Sequence, residues 1–130
     1  MPYLAEDSVR IARAYYEFAV DGGAVGDIAL RGDSVPPGPI IIDALLKVDT
    51  ALTGASATVA LKTEGAADIQ AAAAISGAPW STAGVRRCTL DADSAPILTT
   101  ADRAITATVG TAALTAGKFT VLVTYLLLAG

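Results

Sequence analysis

Histidine and asparagine are missing from this chain, and cysteine occurs once, at position 88. Without histidine, neither a Ser-His-Asp nor a Cys-His arrangement can be assembled within one copy. Without asparagine there is no N-glycosylation acceptor. A single cysteine allows no intrachain disulfide and no thiolate metal cage, and its ordinary role is that of a small buried hydrophobe. Charge is scarce as well. Charged residues make up 17% of the chain, against the quarter or so usual in soluble domains, and the formal net charge is −4. Only Arg86 and Arg87 put two bases side by side, which argues against binding nucleic acid through its phosphates. Aromatic residues are 5% of the total, and no apolar run reaches the roughly 20 residues that a membrane-spanning helix needs.

What the chain has in quantity is alanine, valine, leucine and isoleucine. Hydrophobic residues account for 53% of its 130 positions, a length that fits one domain. So small a domain exposes much surface relative to its core, and here part of that surface must be apolar or neutral. The expectation is that neighbouring proteins cover it, most simply other copies of the same chain. The most concentrated apolar stretch is the last, "FTVLVTYLLLA" over 119–129. As a helix it is too short for a bilayer; as a strand at about 3.3 Å per residue it would cross a small domain. Phe119, Val121, Val123, Tyr125 and Leu127 share one face, while Thr120, Leu122, Thr124, Leu126 and Leu128 share the other. A strand in an outer-membrane barrel would look similar. Acidic residues precede any hydrophobic region in "MPYLAEDSVRIARAYYEF", so no export signal is expected, and the run reads as a core strand.

The remaining segments follow the same period-two logic. Residues 1–13 read as a polar N-terminal arm ahead of a single domain at 14–130. "VRIARAYYEFAV" (9–20) fits either period, with strand favoured from Ala14 by the Tyr-Tyr pair and the following "DGGAVG" turn. "VGDIALRG" (25–32) is a second strand, and "DSVPPGP" (33–39) a loop, since proline denies the sheet its donors. "IIIDALLKVDTAL" (40–52) alternates with Ile42, Ala44, Leu46 and Val48 on one face. "ATVALKTE" (57–64) places Val59 and Leu61 inward, and "VRRCTL" (85–90) and "ITATVG" (105–110) complete the set. "GAADIQAAAAISG" (65–77) is the helix candidate, by alanine's propensity, Asp68 near its start and Gly77 at its end. About seven or eight short strands with at most one short helix predict an all-β fold, an antiparallel β-sandwich of jelly-roll type.

Motifs that carry chemistry are thin. Arg31-Gly32-Asp33-Ser34 spells an integrin-read tetrapeptide, yet Gly32 and Asp33 are ordinary turn residues. Asp91 and Asp93, or Glu6 and Asp7, could pair for acid–base work, and Asp91-X-Asp93 begins like a calcium loop. The glycine and distal glutamate of an EF-hand are absent, so solvated turns account for them. "DGGAVG" lacks the helix and lysine of a phosphate cradle. No catalytic residue, metal ligand or cofactor site is assigned, and the chain is not read as an enzyme. Trp80 either caps the core or faces a partner. Arg86 and Arg87 take opposite faces of a strand, and tryptophan and arginine are common interface anchors. Tyr3, Leu4, Tyr15, Trp80, Arg86 and Arg87 are the candidate interface residues.

Three stretches, "YYEFAVDGGAVGDIALRGDSVP", "AISGAPWSTAGVRR" and "TADRAITATVGTAALTAGKFTVLVTYL", resemble the small capsid decoration, cement or head structural proteins of tailed bacteriophages. The likeness runs from about residue 14 onward and has no catalytic motif in it. It implies a β-sandwich or jelly-roll subunit on the outside of the phage head, often trimeric, bound to the major capsid protein. Such a virion protein would be made in the host bacterial cytoplasm, where one unpaired cysteine is no handicap. Other readings are a head–tail connector or tail protein, a fibre-type adhesion module, and a small sugar-binding or hydrolytic jelly roll resting on Asp91 and Asp93.

Overall fold

The structure is a computed structural model that describes residues 8–90 and 97–127. Nine strands are described: β1 Ser8–Glu17, β2 Gly26–Val35, β3 Ile40–Gly54, β4 Thr58–Lys62, β5 Gln70–Ala74, β6 Gly84–Arg87, β7 Ile97–Leu98, β8 Arg103–Gly110 and β9 Leu114–Leu127. One four-residue helix, α1, covers Phe18–Asp21. All pairing is antiparallel, in the order β5-β4-β8-β2-β1-β9-β3-β6, with β7 also on β3. The all-β antiparallel fold expected from the sequence is therefore observed. No described helix is long and apolar enough to cross a membrane.

The sheet curls so that its two halves face each other across one core. β9 supplies Phe119, Val121, Val123 and Tyr125 to that core, and β3 supplies Ile41, Ala44, Leu46, Val48 and Leu52. The opposite half contributes Val59 and Leu61 from β4 with Ile105, Ala107 and Val109 from β8. For Ala44, Leu46 and Val48, for Val59 and Leu61, and for the β9 residues, these are the faces that alternation predicts. One residue departs. Ile42 was expected inward, but the register slips between Ile41 and Asp43, and Ile42 turns outward. A bulge of this kind inserts one residue and flips the local alternation.

Aromatic rings join the halves. Tyr16 of β1 stacks on Phe119 of β9, centroids 5.0 Å apart, and Trp80 tilts against Phe119 at 5.1 Å. Trp80 Nε1–H then donates to the Val59 carbonyl of β4 at 3.2 Å. Its own carbonyl accepts the Leu52 N–H of β3 at 3.1 Å.

Three segments differ from expectation. The helix expected over 65–77 is absent: a turn leads into β5. Asp68 ties that turn, accepting the N–H groups of Thr63, Glu64 and Gly65 at 2.8–3.0 Å. Pairing with β4 overrides alanine's helix preference, which is worth only tenths of a kcal/mol per residue. β1 begins at Ser8, inside the segment read as an arm, and Ser8–Arg13 pair with Leu122–Leu127 of β9. The loop read over 33–39 begins later, because β2 continues through Gly32 and Asp33 to Val35.

Candidate interaction surface

The Arg-Gly-Asp stretch lies where β2 passes from one half of the sheet to the other. Gly26–Ala29 pair with β8, Arg31 and Gly32 with β1, and Ser34–Val35 with β8 again. Gly32 has φ +116°, and a Cβ there would collide with the Arg13 carbonyl of β1. Both charged ends of the motif are engaged. Arg31 Nε and Nη2 donate to the Asp21 carboxylate at 2.9 and 3.2 Å, and Asp33 accepts the Arg13 N–H at 3.0 Å. Burial disfavours the Asp21 carboxylate, but Arg31 and the Glu17 N–H outweigh it and hold its pKa below the ordinary value. This is a strand crossover, with neither charged side chain presented at a loop tip.

A groove of about 420 Å³ runs beside β4 and β8 and is lined by Asp27, Lys62, Glu64, Asp102 and Arg103 among others. Lys62 Nζ lies 2.7 Å from Asp27, which also accepts the Thr108 hydroxyl at 2.8 Å. Arg103 donates twice to Glu64, at 2.8 and 3.3 Å, and Thr100 donates through both its N–H and its hydroxyl. Arg103 and then Thr100 lower the Glu64 pKa to about 2. Lys62 and then Thr108 likewise hold Asp27 low. A general acid at neutral pH needs a carboxyl raised towards the working pH, the reverse of this arrangement. Among the described residues, no three His, Cys, Asp or Glu side chains cluster as a metal site would require. Asp91, Asp93, Glu6 and Asp7 lie outside the described residues.

The outer face of the β1-β9-β3 half is the conspicuous surface. Strand register lays its side chains out in rows. The first is Val9, Leu126, Ile40 and Leu98, running from β1 across β9 and β3 to β7. The second is Ile11, Thr124 and Asp43. The third is Arg13, Leu122, Leu45 and Arg87, and the fourth is Tyr15, Thr120, Lys47 and Val85. The first row carries no polar side chain, although Val9 is 61% exposed and Leu98 53%. Ile11 on β1 and the bulged Ile42 on β3, with β9 between them, are about half exposed. An antiparallel sheet with one solvated face is normally polar on that face. Four strands about 4.8 Å apart and seven residues at about 3.3 Å each give a face on the order of 400 Å². Charged and polar side chains fill much of the third and fourth rows, so the apolar part is the first row with Ile11 and Ile42.

The expected interface residues scatter around this surface. Tyr15 is on it, in the fourth row, and is partly exposed. Arg87 is on it too, exposed, with Nε 3.4 Å from Asp43. Arg86 points the other way and clamps a turn, donating to the carbonyls of Pro79 at 2.9 Å and Thr82 at 3.1 Å. Trp80 is fully buried in the aromatic joint, the core-capping role of the two weighed for it. Tyr3 and Leu4 lie outside the described residues. Sequence reading did not single out Val9, Ile11, Ile40, Ile42, Leu98 or Leu126 as a surface. Their spacing gives no such signal, because the row forms only when four strands come into register.

No protein-family model matches the sequence, and no curated protein does. Solved structures do. A chain in the cyanophage Pam1 capsid asymmetric unit is similar with TM-score 0.65 and 20% identity, over 98% of this chain and 90% of that one. A chain in the acidic stable capsid structure of Helicobacter pylori bacteriophage KHP30 is similar with TM-score 0.61 and 15% identity, over 96% and 90%. The fold is one that this protein shares, nearly end to end, with chains found in two phage capsids.

Proposed function

We propose that this chain is a structural component of a bacteriophage virion, a decoration protein that binds the outside of the capsid shell and reinforces it. The observation that carries the reading is the apolar face of the β1-β9-β3 half, on a fold shared with phage capsid chains. A shell-reinforcing protein needs no reaction. It needs a stiff body and a surface that gains free energy when a neighbour covers it, at about 25 cal/mol per Å² of apolar area removed from water. A face on the order of 400 Å² is about half the 800 Å² per partner of a standard interface. The remainder is assigned to the segment ahead of β1, where Tyr3 and Leu4 serve as anchors. The partners are the major capsid protein and other copies of the chain, with a homotrimer as the expected self-assembly. Reinforcement follows from mass action: when each copy bridges adjacent shell subunits, parting them also breaks the decoration contacts.

The test mixes purified protein with undecorated capsids of the same phage and images the particles. Density on the outer surface, together with a raised temperature of capsid disruption, is the expected result. If no density appears on the shell at saturating protein, decoration is excluded. Mass photometry of the free protein adds a second readout, in which a trimer fits decoration and a hexamer or dodecamer fits a ring component of the head–tail junction.

A further inference from the structure

The strand order has two ends, β5 and β6, and one short segment touches both. β6 is hydrogen-bonded along β3, and Cys88 directly after it donates its N–H to the Ala44 carbonyl of β3 at 2.8 Å. The chain then crosses the gap. Thr89 N–H donates to the buried Gln70 side chain at the start of β5, at 3.1 Å. Leu90 N–H donates to the Ile69 carbonyl at 2.9 Å. The Thr89 hydroxyl also accepts the Ala71 N–H, at 3.4 Å. Four hydrogen bonds in three consecutive residues therefore bridge the two end strands of the curled sheet.

We propose that Cys88–Leu90 is a strap that releases as a unit, swinging on β6, while the rest of the sheet stays paired. The strap has little holding it. Only Cys88 is buried; Leu90 is partly buried and Thr89 exposed. Leu90 sits at φ +51°, a conformation that residues with a side chain seldom adopt. The hinge is anchored separately, because Arg86 stays clamped to the Pro79 and Thr82 carbonyls. The seams on either side of β9 are far longer: β9 pairs with β1 across Ser8–Glu17 and with β3 across most of its length. Segments with few buried apolar contacts open at lower free energy than the global transition. β5 carries no charge from Gln70 to Ala74, and Ala71, Ala72 and Ala74 are already exposed. Release frees the Ile69 carbonyl and the Ala71 N–H as well, lengthening the unpaired edge to which strands of neighbouring copies can pair.

Cys88 is a built-in reporter, being the only cysteine of the chain. Burial, and next the charge of Asp43, push its thiol up to about 12. The closed thiol is thus protonated and shielded at pH 8, and only an open strap presents a reactive thiolate. The experiment follows iodoacetamide labelling of the folded protein by mass spectrometry across a urea series. Labelling through the strap is expected to depend weakly on urea at low concentration and to join the steep global dependence only near the unfolding transition, since the slope scales with exposed surface. Gln70→Ala, which removes one acceptor, is expected to speed low-urea labelling about fivefold, the equivalent of one neutral hydrogen bond. Val121→Ala, a core change remote from the strap, lowers the unfolding midpoint and leaves low-urea labelling unaltered. Labelling that tracks global unfolding at every urea concentration, or Val121→Ala accelerating it as much as Gln70→Ala, overturns the proposal.

Discussion

Replacing Trp80 with alanine removes the joint between the two halves of the sheet. The side chain is wholly buried, packs on Phe119 at 5.1 Å and hydrogen-bonds to the Val59 carbonyl. Large aromatic-to-alanine changes in a core cost about 3–5 kcal/mol, because lost transfer energy and a residual cavity add. Losing the partner of the Val59 carbonyl adds about 1 kcal/mol. A domain's whole stability is about 5–15 kcal/mol, so this one change consumes a large share of it. At about 3–5 °C per kcal/mol for a chain of this size, the melting temperature should fall by roughly 12–30 °C. Trp80→Phe keeps part of the ring contact but loses the N–H and part of the ring volume, so it should cost about 2–3 kcal/mol. Thermal melts followed by far-ultraviolet circular dichroism separate the two variants. A Trp80→Ala protein that melts within about 3 °C of the parent would show that the halves are held together by something else.

Gly32→Ala forces a Cβ into the Arg13 backbone at a positive φ. It should cost on the order of 2–4 kcal/mol by urea denaturation, whereas Gly38→Ala, with φ +102° but open space around it, should cost less. The Glu64 carboxylate has its pKa lowered from 4.5 to about 2, so its contribution is complete above pH 4.5 and is lost as pH falls towards 2. The melting-temperature gap between the parent and Glu64→Gln should accordingly be constant from pH 5 to 7 and close between pH 4.5 and 2; a gap that persists at pH 2 would contradict the Arg103 and Thr100 clamp. Ile11→Asp combined with Leu98→Asp alters only exposed positions, so the melting temperature should shift by less than about 3 °C while capsid binding weakens at least tenfold in a sedimentation assay. Undiminished binding would remove the apolar face from the proposed function.

How much could be read without the structure depends on how local each feature is. Alternation in β3, β4 and β9 named Leu46, Val48, Val59, Leu61, Val121 and Val123 as inward residues, because a strand's two faces are set by neighbouring residues alone. Ile42 escaped that logic, since a bulge depends on the partner strand. β5 escaped it as well, because "QAAAA" has helical propensity and becomes a strand only against β4. The arm boundary at residue 13 was drawn where polarity ended. The ten-residue pairing of β1 with β9 was invisible, as the two strands lie about a hundred positions apart.

The candidate site divides the same way. Composition by itself determined that this chain has no histidine for catalysis, nine Lys and Arg against thirteen Asp and Glu, and 53% hydrophobic residues. Tertiary structure alone decided which apolar residues were left outside. Val9, Ile40, Leu98 and Leu126 are distant in sequence and unremarkable singly, and the register of four strands sets them side by side. It likewise turned Trp80 into a buried joint and the Arg-Gly-Asp stretch into a strand crossover. Local pattern fixes which way a side chain points from its own strand, but only long-range pairing fixes what stands next to it.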